Sequence, residues 1–199
     1  MTKRILTALL FCALTTHAGA AAKVGEPAPD FSGVDTAGKT HRLADYRGQL
    51  VVLEWTNHDC PFVRKHYDAG NMQAQQREAT GQDVVWLSVI SSAPGKQGHV
   101  SAAEADRLTS ERSAAPTAVL LDESGTIGRA YGARTTPHMY LVDRDGNLVY
   151  MGGIDSVPSS NPDDIAGARQ HLRVALAEVM QGKPVSEPVT RPYGCSVKY

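Results

Sequence analysis

The chain has 199 residues, 42% of them hydrophobic and 21% charged, with 20 basic side chains against 21 acidic ones. That is enough for one well-buried domain and too little for two ordinary ones. A near-neutral chain without a basic tract lacks the electrostatic footprint of nucleic-acid binding.

Met1 to Arg4 is a basic start, Ile5 to Leu14 an apolar run, and Ala18-Gly19-Ala20 a small-residue cleavage site. The run is about half of what a membrane span needs. The pattern is that of a secretory signal over residues 1–20, with a second cut available after Ala22. Phe11 before Cys12 excludes a lipidation site, because a small residue is required there. Removal of the segment takes away Lys3 and Arg4 and leaves the mature chain near −3. It also leaves two cysteines, Cys60 and Cys195. In an exported chain these form either one disulfide or a redox pair. One bridge is not needed to hold a domain of this size together, which favours the redox reading.

Val24 to Phe31 carries two prolines that exclude a helix, so it is extended, with Phe31 as its anchor. Asp35 to Lys39 is a turn between two short strands, the second over Thr40 to Leu43. Leu50 to Trp55 is a buried strand. Four polar residues, Thr56 to Asp59, lead from it to Cys60-Pro61. Proline suits the first helical position, which puts Cys60 at the N-cap of a helix running to about Ala79, with a kink or short break at Gly70-Asn71. A sulfur at a helix N-terminus faces free backbone N–H groups, which favour thiolate. Arg64, Lys65 and His66 add positive charge on the first turns. Cys60 is therefore expected to be the reactive thiol, with a pKa below the ~8.5 of a free cysteine.

Asp83 to Ile90 is a second central strand, apolar nearly throughout, as in a strand covered on both faces. The loop from Ser91 to His99 is rich in Ser, Gly and Pro; its Lys96, Gln97 and His99 read as solvated rather than as the rim of a site. Ser101 to Glu104 is a capping box for a helix to about Ser113. Thr117 to Leu121 is a third strand, and Thr126 to Tyr131 a short helix. Met139 to Val142 and Leu148 to Met151 flank the hairpin signal Asp145-Gly146. Asn161-Pro162-Asp163-Asp164 starts the last helix, which Gly182 ends. Trp55 and Trp86 read as core residues. Alternating strands and helices that close with a hairpin and a helix give an α/β fold: a mixed central sheet with helices on both faces. The domain spans residues 21–184, and the tail 185–199, carrying Cys195, is read as irregular and without secondary structure of its own.

Three pieces, in this order, resemble the thioredoxin-like superfamily and its redoxin branch of peroxiredoxins and periplasmic thiol reductases. They are Gly25-x-x-Ala28-Pro29-Asp30-Phe31, the strand–loop–Cys60–helix unit, and Thr136-Pro137 leading into the strand before Asp143-x-Asp145-Gly146. The likeness covers roughly Val24 to Gln181. It implies a thioredoxin-like fold, a cis Pro137, and the Thr136 backbone facing Cys60. Departures from the family pattern narrow the chemistry it implies. Val63 stands where a thioredoxin has its second cysteine, so the local dithiol is absent. Asn57 and Leu53 stand where a peroxiredoxin has threonine and proline, and Pro137 falls where it has its peroxide-polarising arginine.

The reading is an exported redoxin, periplasmic or secreted, acting as a thiol–disulfide oxidoreductase through Cys60, with Thr136 and Pro137 beside it. Cys195 is the second thiol, by analogy with redoxins that resolve their cysteine from a C-terminal arm. Its substrate is a protein or small-molecule disulfide or peroxide, its reductant a thiol, and it has no nucleic-acid partner, no membrane in the mature form, and no cofactor. Two alternatives stand beside it: a thiol peroxidase using Cys60, and a non-catalytic module binding copper or a partner's thiol. His58, Asp59 and His66 around Cys60 motivate the copper reading, although no metal is expected.

Overall fold

In the computed structural model, residues 21–199 are described, and the expected signal segment 1–20 lies outside the described residues. Short β-branched and apolar runs separated by Gly, Pro and Asp turns form the strands β1 (Ser32–Asp35), β2 (Thr40–Arg42), β3 (Val51–Trp55), β4 (Val85–Ile90), β5 (Ala118–Leu121), β6 (Thr135–Thr136), β7 (His138–Val142), β8 (Leu148–Gly152) and β9 (Cys195–Ser196). Seven of them make one sheet in the order β2-β1-β5-β4-β3-β7-β8, while β6 and β9 make a separate two-stranded ladder. β3 and β4 pair in parallel, as do β4 and β5, and β3 pairs antiparallel with β7. The sheet is mixed, and β3, which leads to Cys60, lies inside it.

Side-chain alternation along β3 divides the core. Val51, Leu53 and Trp55 join Phe31, Leu87, Ile127, Tyr131 and Tyr140 on one face. Val52 joins Trp86, Val63, Met72, Leu172 and Leu176 on the other. That second face is covered by α1 (Pro61–Asp68), α2 (Asn71–Thr80) and α5 (His171–Met180). Both tryptophans are fully buried, and each large apolar side chain so placed contributes about 1.5–3 kcal/mol.

The helix read from Pro61 to Ala79 is two helices, because Gly70 takes φ +72° and caps α2 in the left-handed region. α3 (Ala102–Glu111) starts where Ser101 accepts a hydrogen bond from the Glu104 amide, and α4 is Thr126–Tyr131. Two expectations are corrected. The Asn161-Pro162 signal makes only a single 3-10 turn, Pro162–Ile165, and α5 begins at His171. The stretch 163–170 lacks an apolar stripe and contains Gly167, whereas Leu172, Ala175 and Leu176 supply the buried face of α5. The tail is also ordered as strand: β9 pairs antiparallel with β6, with Thr135 opposite Ser196 and Thr136 opposite Cys195.

Candidate active site

Cys60 is the N-cap of α1, with Pro61 at the first helical position. Its loop is closed by Asn57, whose Oδ1 accepts from the Asp59 amide (2.9 Å) and whose Nδ2 donates to the Gln97 carbonyl (3.3 Å). That use of the Asn57 side chain fixes the turn before the cysteine. The Cys60 side chain is 0% exposed and makes no cap hydrogen bond; its Sγ donates to the Thr136 carbonyl at 3.1 Å. The Thr136–Pro137 peptide is cis.

Cys60 and Cys195 are free thiols. The β6–β9 ladder brings Cys195 opposite Thr136, the residue whose carbonyl holds Cys60, and Cys195 packs against the core cluster that contains Cys60. Gly194 makes that approach possible: at φ +129°, a Cβ on it would collide with the Thr136 carbonyl. Burial and then the adjoining Cys60 push the Cys195 thiol up to about 12. It therefore holds its proton at neutral pH.

The basic residues expected to add charge beside Cys60 are committed elsewhere. Lys65 is 1% exposed; its Nζ lies 3.3 Å from Asp155 Oδ2, 3.0 Å from the Val157 carbonyl and 3.4 Å from the Tyr193 hydroxyl. His66 Nδ1 accepts from Asn71 Nδ2 (2.8 Å), and its Nε2 lies 3.1 Å from the Tyr193 hydroxyl. That hydroxyl donates to Asp155 Oδ1 at 2.5 Å. Burial lowers His66 to about 4 against the pull of Asp155, so it is neutral. Burial and the hydrogen bond to Asp155 raise Tyr193 far above the ordinary phenol range. Lys65 and His66, read as positive charge beside Cys60, are instead the wall of a socket for the tail. Arg64 remains exposed, 3.8 Å from Asp68.

Sequence reasoning also passed over Glu54. Its fully buried carboxylate accepts from Tyr67 (2.9 Å), Gln76 (3.1 Å), Trp86 Nε1 (2.8 Å) and Ser88 (2.9 Å). A lone acid inside the apolar run Val51 to Trp55 was the available signal. His58 pairs with Asp59 (3.3 Å) and His66 with Tyr193, and among the described residues no group of three or more His, Cys, Asp or Glu converges as a metal site. In the Ser91–His99 loop, Lys96 is exposed and His99 pairs with Glu123 at 2.9 Å.

The buried histidines set an acid limit on stability. His138 is lowered to about 3, first by burial and then by Arg134. An unfolded histidine takes up its proton near 6.5, whereas folded His66 and His138 wait until about 4 and about 3. The unfolded chain thus binds more protons below pH 6.5, and stability is lost as pH falls from there toward 4, by on the order of 3 kcal/mol per histidine. Thermal midpoints measured from pH 8 to 4 should hold above 6.5 and drop below it, with His66→Gln flattening the drop. A midpoint flat down to pH 4.5 would contradict the assignment.

Known proteins resemble this chain in sequence and in fold. The family model described as AhpC/TSA matches residues 24–151. The thiol-disulfide oxidoreductase ResA of Geobacillus thermodenitrificans is 27% identical over 135 residues, covering 64% of this chain and 68% of its own. An uncharacterized conserved protein from Geobacillus kaustophilus superposes with a TM-score of 0.79 at 26% identity, covering 91% of this chain and 94% of its own. The hypothetical protein SMc02350 from Sinorhizobium meliloti gives 0.78 at 25% identity, over 91% of this chain and 97% of its own. The family match ends before Asp155, Tyr193 and Cys195.

Proposed function

The chain belongs to the AhpC/TSA family of thioredoxin-like redoxins, and on that footing we propose that it is an exported thiol–disulfide oxidoreductase whose working pair is Cys60 and Cys195. The observation that carries this is the ladder that sets Cys195 opposite Thr136 while Thr136 holds Cys60 Sγ. The likeness to ResA supports disulfides as substrates and a thiol as reductant. Export rests on the basic and apolar start of the sequence. No helix among the described residues is long and apolar enough to cross a membrane.

In the proposed cycle Cys60 thiolate attacks one sulfur of a substrate disulfide, forming a mixed disulfide and releasing the other sulfur as thiolate. Cys60 and Thr136 lie beneath the tail, so the arm swings aside to admit the substrate and returns. While Cys60 is a free thiol or thiolate, it helps to keep Cys195 protonated. Once Cys60 is bonded to the substrate that contribution is gone, and with the arm swung aside the burial that is the larger cause is relieved, so Cys195 can lose its proton. Its thiolate attacks Cys60 Sγ, the second substrate thiolate leaves, and a Cys60–Cys195 disulfide remains for an external thiol to reduce. Residues 21–184 act as one domain and 185–199 as a resolving arm.

Cys195→Ser is the test. With a disulfide-bonded peptide as substrate, the variant should accumulate a mixed disulfide on Cys60, visible by intact mass, and turn over at least about tenfold more slowly than wild type. Equal turnover would make Cys195 a bystander. Faster consumption of hydrogen peroxide than of the peptide disulfide, with the same thiol, would favour the peroxidase reading instead.

A further inference from the structure

A resolving thiol must be held beside its partner, yet the arm carrying Cys195 has only two residues of strand. A buried side-chain hold lies two residues earlier. The Tyr193 hydroxyl receives His66 Nε2–H (3.1 Å), lies 3.4 Å from Lys65 Nζ, and donates to Asp155 Oδ1 (2.5 Å). Its ring meets Phe62 edge-on at 5.9 Å. The socket is buried: Lys65, His66 and Asp155 are each 1% exposed or less. The Asn71 amide donating to Nδ1 fixes the His66 proton on Nε2, where it faces the phenol oxygen. The Val157 amide and carbonyl satisfy what remains of Asp155 and Lys65.

We propose that Tyr193 is the positioning residue of the thiol pair, its hydroxyl latched in the Lys65–His66–Asp155 socket so that the arm returns Cys195 to Cys60. The inference rests on the pairing proposed above. Two features of the fold separate it from ordinary core packing. The helix that presents Cys60 at its N-cap also presents Lys65 and His66 within its next two turns, so the nucleophile and two of the three socket residues share one element. Only Gly194 lies between Tyr193 and Cys195, and it is pressed against the Thr136 oxygen, leaving little slack between latch and thiol. Tyr199 ties down the far end through its hydroxyl to the Ala133 carbonyl (2.8 Å) and its ring under Arg129 (4.6 Å). Thr190 holds the arm upstream and the β6–β9 ladder and Tyr199 hold it downstream, so releasing the latch removes the side-chain anchor nearest Cys195, widens the sweep of the thiol and lowers its effective concentration at Cys60.

Tyr193→Phe keeps the ring and removes the hydroxyl. Wild type and variant are equilibrated in glutathione buffers of graded ratio, quenched in acid, and the Cys60–Cys195 disulfide is quantified by mass. The variant disulfide should be at least tenfold easier to reduce, an upward shift of about 30 mV, and in the reduced variant iodoacetamide should label buried Cys60 several-fold faster. Tyr131→Phe removes a hydroxyl that donates to the Pro29 carbonyl (2.8 Å) rather than to the arm, and should leave the potential unmoved. If Tyr193→Phe does not fold, Asn71→Ala makes the same test through the His66 proton, with a smaller shift in the same direction. A folded variant with the wild-type potential overturns the proposal, and so does an unshifted Asn71→Ala where that variant must decide. A wild type that forms no Cys60–Cys195 disulfide in any buffer fails the pairing itself, and the latch falls with it.

Discussion

Cys60→Ser is expected to slow disulfide reduction by about a thousandfold or more, while changing stability by less than about 1 kcal/mol. The two effects separate because of where the side chain sits. The sulfur is fully buried at the start of α1 and donates only to the Thr136 carbonyl. A serine hydroxyl is of similar size and can donate to the same oxygen, so packing and hydrogen bonding survive. Its chemistry does not: a hydroxyl at neutral pH is neither ionised nor soft enough to attack a disulfide sulfur. Cys195 would remain, but on the tail rather than at the helix N-terminus, and with burial, the larger cause of its raised thiol, still in place. The check is the initial rate of reduction of a disulfide-bonded peptide, beside a thermal melt of the same sample. Activity within tenfold of wild type would mean that Cys60 is not the nucleophile.

Glu54→Ala is expected to destabilise the fold by about 3–5 kcal/mol, the cost of breaking a buried charged network. The carboxylate is the acceptor for Tyr67, Gln76, Trp86 and Ser88 at once, joining β3, β4, α1 and α2 beneath the Cys60 loop. Removing it strands four buried donors, each costing roughly 1–3 kcal/mol less whatever rearrangement recovers. Tyr67, held well above the ordinary phenol range by burial and by Glu54, stays a donor throughout. Urea unfolding gives the number directly. Glu54→Gln, which keeps one carbonyl oxygen, should lose less than alanine does. A loss below about 1 kcal/mol for alanine would show that water or a neighbour satisfies those donors and that the network is not a unit.

How far the sequence revealed this arrangement depended on the range of the contacts. Cys60-Pro61 was legible because a strand, a polar loop and a helix cap are local signals, and β3 and β4 because their apolar runs are continuous. The break at Gly70 was written in the same local terms. The tail was not, because β9 gains its partner only through Thr135 and Thr136, 59 residues away at Cys195, and nothing in Val185 to Tyr199 alternates strongly enough to announce a strand. The socket was missed for a related reason. Lys65 is charged and His66 polar, and such side chains on a helix are normally solvated; Asp155 and Tyr193, distant in sequence, make their burial tolerable. The false helix start at Pro162 had good caps and no apolar face behind them, and packing decided against it.

Everything proposed for the reaction turns on whether the two thiols bond to each other. The most direct measurement is a non-reducing peptide map of the wild-type protein after mild oxidation with a small disulfide, with free thiols blocked beforehand at acid pH. The account predicts one linked pair, the peptide containing Cys60 joined to the peptide containing Cys195, in most molecules, and its disappearance on reduction. Oxidised protein in which Cys60 carries only the small thiol, or a sulfenic acid, while Cys195 stays free would contradict it.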